Sequence, residues 1–200
     1  LSTRYTKTSL WGLGLELANL SGIVISHIHT DHFSESMLES IIAHKIPLYI
    51  DKKQFEFLLR KKKLIREAIK KDLVKTFNKN DFSIGSFNFH PFKVPHDSAG
   101  GCCGFNIICE NETAKKKISF ATDLGYPEEE TIEKFYDSDT IIIESNHDVE
   151  MLEKSNRSYI LKHRIKTIGH LSNVQCREFL NQVFQKSDRL PSSIILAHLS

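Results

Sequence analysis

The stretch His27-Ile28-His29-Thr30-Asp31-His32 constrains this chain more than any other, because it packs four groups able to bind a metal into six residues. It follows the apolar run Ile23-Val24-Ile25 and precedes Ser34, a residue suited to open a helix. The loop is therefore expected at the mouth of a strand. Neutral imidazoles and a carboxylate suit zinc, manganese or iron, and the carboxylate offsets the charge of a divalent ion. His27 and His29 share a face by the period of two of an extended chain, whereas Asp31 and His32 follow round the turn. Two ligand pairs imply two metals. The competing reading is a polar loop whose histidines merely face water.

The same pattern recurs along the chain. Ligand-type residues stand directly after predicted strands: His27 after 23–26, His96 after 92–95, Asp123 after 118–122, Glu144 after 141–143 and His198 after 194–197. Scattered surface histidines would not track strand ends, but a site at one edge of a sheet structure would.

The intervening segments alternate between helical and extended periodicity. Met37, Leu38, Ile41 and Ile42 mark a helix that Pro47 separates from a strand at 48–50. Phe55, Leu58, Leu59, Ile65, Ala68 and Ile69 mark two short helices or one bent one. Residues 82–94 alternate in period two about a turn at Ile84-Gly85. Strands at 104–109 and 117–122, joined by Asn111-Glu112-Thr113, read as a second hairpin. Helices are expected at 128–136, 148–163 and 172–186, strands at 140–143 and 194–196, and an irregular or weakly helical lead-in at 5–18. This succession predicts an α/β or α+β chain, and 200 residues with 40% apolar content suit a single domain over 1–200.

No run of about eighteen apolar residues suggests a membrane span, and no basic start with an unbroken apolar stretch suggests a signal peptide, so a cytoplasmic protein without a membrane partner is expected. Cys102, Cys103, Cys109 and Cys176 form no spaced framework and are expected as thiols. Between Asp51 and Lys75 ten basic residues face four acidic ones, a local +6 against +2 for the whole chain. This stretch is either a solvated helix face or a surface that steers a polyanion.

The motifs SHIHTDH at 26–32, PHD at 95–97, ATDLGY at 121–126, ESNHDVEML at 144–152, GHLSN at 169–173 and AHLS at 197–200 resemble the YycJ-like (WalJ-like) metallo-β-lactamase-fold exonucleases of bacteria. The resemblance runs essentially end to end. It implies an αββα sandwich, two sheets face to face with helices outside. Relatives carry further strands ahead of the region matching Leu1-Ser2, so an N-terminally incomplete member is expected. The resemblance makes His27, His29 and His96 ligands of one divalent ion, Zn2+ or Mn2+, and Asp31, His32 and His198 ligands of the second, with Asp123 bridging. It counts Asp31, His170 and Glu144 as catalytic, His170 giving a proton to the leaving oxygen while Glu144 orients it. The implied function is a 5′→3′ DNA exonuclease working through a hydroxide shared by two ions. A same-fold hydrolase of lactones, thioesters or cyclic phosphodiesters stays open, as does an inactive fragment. From the residues alone, His170 could be a turn residue, Glu144 a buried hydrogen-bonded carboxylate and Ser172 a helix cap. His147 and Asp148 match the family motif without an assigned role, and His44, His90 and His163 match none.

Overall fold

The computed structural model describes residues 3–61, 63–78 and 80–200. Lys62, one of the basic residues counted above, and the Leu1-Ser2 pair lie outside them. The described residues form two compact units, the first comprising residues up to Asn80 together with Ser98–Gly101, the second Asp81–Asp97 with Cys102–Ser200.

The first unit is built on a parallel repeat. Strand β1 (Ile23–Val24), helix α2 (Glu35–His44), strand β2 (Leu48–Asp51), helices α3 (Lys52–Lys61) and α4 (Ile65–Lys70), and strand β3 (Val74–Phe77) follow one another after helix α1 (Thr3–Gly12). The sheet order is β1-β2-β3, all parallel. The Ser34 hydroxyl caps α2 by accepting from the Met37 N–H at 3.2 Å, and Lys45 ends it at φ 54°. Met37, Leu38, Ile41 and Ile42 bury the helical stripe against Leu48, Ile50, Leu58 and Ile65. The basic residues described from Lys52 to Lys75, on α3, α4, β3 and the turns between them, are all exposed.

The second unit holds a six-stranded sheet in simple order: β4 (Phe82–Ile84), β5 (Phe87–Val94), β6 (Cys102–Glu110), β7 (Lys115–Ala121), β8 (Thr140–Glu144) and β9 (Ser193–Ala197). Neighbours from β4 to β7 are antiparallel, and β7, β8 and β9 run parallel. Both expected hairpins form, the first turning at Gly85 with φ 58°. Helix α5 (Glu129–Glu133) and helix α8 (Asn173–Lys186) contribute Ile132, Cys176, Phe179 and Val183 to a core with Ile141 and Ile143 of strand β8, which lies between β7 and β9. Ser172 caps α8 reciprocally with Gln175, as its sequence position suggests. All four cysteines are free thiols. No described helix is long and apolar enough to cross a membrane.

Two expectations need correction. The helix expected over 148–163 is split into α6 (Val149–Lys154) and α7 (Tyr159–Arg164). Ser155 leaves the first in an extended conformation, and Ser158 caps the second by accepting from the Leu161 N–H. A π-helical segment, Ile165–Gly169, then continues α7. The lead-in is also more regular than expected: α1 spans Thr3–Gly12, and its only Gly stands last, where an interior penalty does not apply.

Candidate metal centre and catalytic cluster

In the first unit, β1 delivers His27 through Ile25 and Ser26. His27 is fully buried, and its Nδ1 lies 3.2 Å from the Ser26 hydroxyl. With Nδ1–H donating there, Nε2 holds the lone pair a metal needs. The chain then folds back because the His29 carbonyl accepts from the N–H groups of His32 at 3.0 Å and Phe33 at 2.8 Å. Fully buried Phe33 anchors this turn in the core. The ring centroids of His29 and His32 consequently sit 4.7 and 4.1 Å from that of His27. Asp31 is exposed beside His32, its carboxylate 3.5 Å from Nε2.

In the second unit, four strand ends and one helix entrance converge. His96 follows β5, Asp123 follows β7, Glu144 closes β8, His198 follows β9 and His170 precedes α8. Glu144 is the hub. Its Oε1 accepts from Nδ1 of His170 at 2.9 Å and from Nδ1 of His198 at 2.7 Å, while Oε2 accepts from the N–H groups of Leu124 at 2.8 Å and Leu171 at 2.9 Å. Burial pushes this carboxyl up, but the bonds from His170, His198 and Leu171 outweigh it and hold the pKa at about 2. An ionised Glu144 can only accept, so both imidazoles carry their proton on Nδ1.

Asp123 stands next to this hub with Oδ1 3.5 Å from Nε2 of His198 and 3.9 Å from Nε2 of His96. Its pKa is pushed up to about 6, chiefly by burial and further by the Glu144 charge, against the pull of His198 and His170. His96 is fixed from behind, its Nδ1 donating to the Gly169 carbonyl at 3.0 Å. Arg164 grips the neighbouring Asp97 with two nitrogens, one of them at 2.9 Å. These two contacts tie α7 and the π-helical segment to the His96 loop, a role not evident from the sequence. Asp148 caps α6, and His147 is buried with its carbonyl bonded to the Asn173 N–H. His90 pairs with Asp81, His163 stacks on Tyr159, and His44 is exposed at the end of α2.

Gly125 permits this assembly. A Cβ placed there would fall 2.4 Å from the backbone carbonyl carbon of Ile168, two residues before His170. Gly125→Ala is therefore expected to push the segment carrying His170 away from Glu144 and lower turnover by about 10²-fold, the scale of a 1 Å misplacement. Steady-state kinetics on the folded variant measures this. Unchanged turnover would mean that His170 and Glu144 tolerate the shift.

The donor chemistry fits divalent ions. One ligand-type atom from each of Asp123, Glu144, His170 and His198 lies within 4.8 Å of the others, in a largely buried cluster of carboxylate and imidazole. A family profile described as "Beta-lactamase superfamily domain" matches residues 7–198. The chain belongs to this superfamily, and its fold and site define it as a metal-dependent hydrolase with the metallo-β-lactamase fold. It is 28% identical over its whole length to exodeoxyribonuclease YycJ of Bacillus anthracis, and 27% identical over 91% of its length to exodeoxyribonuclease WalJ of Streptococcus pneumoniae serotype 2. Among solved structures it is similar to Zn(2+)-bound PqqB from Methylobacterium extorquens, with TM-score 0.65, 13% identity and 89% of this chain covered. The chain spans 72%, 64% and 62% of the lengths of these three proteins, respectively.

Proposed function

We propose that this chain is the hydrolytic domain of a dinuclear metal-dependent phosphodiesterase that degrades DNA from the 5′ end. The observation that carries the chemistry is the Glu144 clamp, which holds two imidazoles in one tautomer beside Asp123. Both units belong, on this reading, to one domain over 1–200, and a single family profile running through both supports it. His27, His29 and His96 would hold one ion, Asp31, His32 and His198 the other, and Asp123 would bridge. Zinc and manganese both suit these ligands. Bound, such ions supply Lewis acidity toward a phosphodiester and lower the pKa of water to near neutrality.

The chain's own residues supply the rest. His170, once its Nε2 has taken up a proton from solvent, presents that Nε2–H to the departing alkoxide and gives it the proton, while Glu144 holds Nδ1–H and keeps the ring from turning. The exposed basic residues of α3 and α4 favour a polyanion, and DNA is the substrate class in the names of the curated relatives. The cytoplasm, where such a substrate resides, is the expected compartment.

The test uses linear duplex and single-stranded DNA labelled at either end, incubated with metal-loaded protein. Early release of the 5′ label as mononucleotide is expected, with an affinity that falls linearly on a log–log plot against salt. Activity confined to lactone, thioester or cyclic phosphodiester substrates, without a steep salt dependence, would replace the nuclease reading with a small-molecule one.

A further inference from the structure

Gln54, in the first turn of α3, is completely buried and touches two backbone segments at once. Its Nε2 donates to the Ser26 carbonyl at 2.8 Å and to the Gly101 carbonyl at 3.1 Å. Ser26 is the residue before His27, and Gly101 lies five residues past His96 in sequence. Among the described residues Oε1 of the same amide has no hydrogen-bond partner. The amide orientation follows, since turning it over would set its oxygen against two carbonyl oxygens. An apolar side chain of equal length would fill the space without burying an unsatisfied acceptor. What glutamine adds over such a side chain is its two donated bonds.

The backbone around this amide is built to let it close. Gly100 has φ +83°, and a Cβ there would fall 2.6 Å from the Gln54 backbone nitrogen. Gly101 has φ +89°, and its N–H returns to the Ser98 carbonyl at 2.9 Å. The 98–101 loop thus presses directly on the start of α3, and only glycine allows the approach.

We propose that Gln54 is a positioning residue for metal binding at His27. By fixing the Ser26 carbonyl it sets where the strand ends and hence where the His27 imidazole points, and the Ser26 hydroxyl, 3.2 Å from Nδ1, holds the ring on its other side. This rests on the reading of His27 as a metal ligand. Outer partners that orient a ligand without touching the ion are worth 10–100-fold in metal affinity.

The test is zinc titration by calorimetry, with thermal unfolding followed with and without zinc, on the chelator-stripped protein and its His27→Ala, Gln54→Met and Gln54→Glu variants. Gln54→Met keeps length and volume and removes both donors, so zinc affinity is expected to fall about 10–100-fold. The zinc-induced rise in unfolding temperature should shrink accordingly. A purely architectural glutamine would instead lower the zinc-free and zinc-loaded midpoints equally and leave the affinity intact, which would overturn the inference. Should Gln54→Met not fold, Gln54→Glu decides in the same way, since its carboxyl offers at most one donor. If His27→Ala loses zinc while both Gln54 variants bind normally, only the positioning role falls. If the unmodified chain binds no zinc, the metal reading falls and this inference with it.

Discussion

Glu144→Ala is expected to produce two defects at once: turnover down by about 10² to 10⁴, as for loss of a positioned proton donor, and metal affinity down by 10–100-fold, as for loss of a ligand's orienting partner. The reason is that one oxygen holds both His170 and His198. The single variants should separate what Glu144 joins. His170→Ala should keep near-normal metal content with low turnover, whereas His198→Ala should lose metal. Elemental analysis alongside kinetics reads both. If His170→Ala lost metal and His198→Ala kept it, the ligand and the acid would have to be exchanged. If Glu144→Ala behaved like His170→Ala alone, the His198 bond would be incidental. Acid sensitivity follows the same group. Its folded pKa lies below the unfolded carboxyl value, so its contribution to stability is present above the unfolded pKa and is lost as pH falls toward about 2. Glu144→Gln should flatten the acid limb of metal-free unfolding.

If Asp123 bridges two ions as proposed, Asp123→Ala is expected to lower the metal content from about two ions per chain to one or none and to abolish turnover, since a bridging carboxylate serves both ions. Unlike an imidazole, a carboxylate has two oxygens to share. The pH dependence has a definite sign. A metal must displace the proton that Asp123 holds below about pH 6, so affinity should fall as pH drops through that value. Asp123→Asn should lose that inflection while retaining the shape of the side chain. Two ions bound as tightly by Asp123→Ala as by the parent chain would remove the bridge.

The 27–32 loop and the strand-end pattern were legible because both are local: His27, His29, Asp31 and His32 fall within six residues, and His96, Asp123, Glu144 and His198 each follow an apolar run of their own. The parallel and hairpin strands were legible from periodicity for the same reason. Strand β3 was not, because Val74–Phe77 closes the basic stretch and shows little alternation. The break between α6 and α7 leaves no sequence signal, because Met151, Leu152, Ile160 and Leu161 continue an apolar stripe across it, and the serines that cap it are equally at home in a solvated helix. Glu144 was expected to orient His170, but its second bond spans 54 residues to His198 and leaves no periodic trace. The same holds for Gly125 and Gln54, whose roles depend on which backbone lies opposite.

Two groups at the heart of the site, Asp123 and His198, sit in left-handed backbone at φ 57° and 56°. For a residue with a Cβ this conformation costs roughly 1–2 kcal/mol, and glycine would avoid most of it. A selection for heat resistance alone, blind to chemistry, would thus find two of its easiest gains by erasing two of the proposed metal ligands. Attempts to harden this chain should therefore freeze positions 123 and 198 and look to the surface for their improvements.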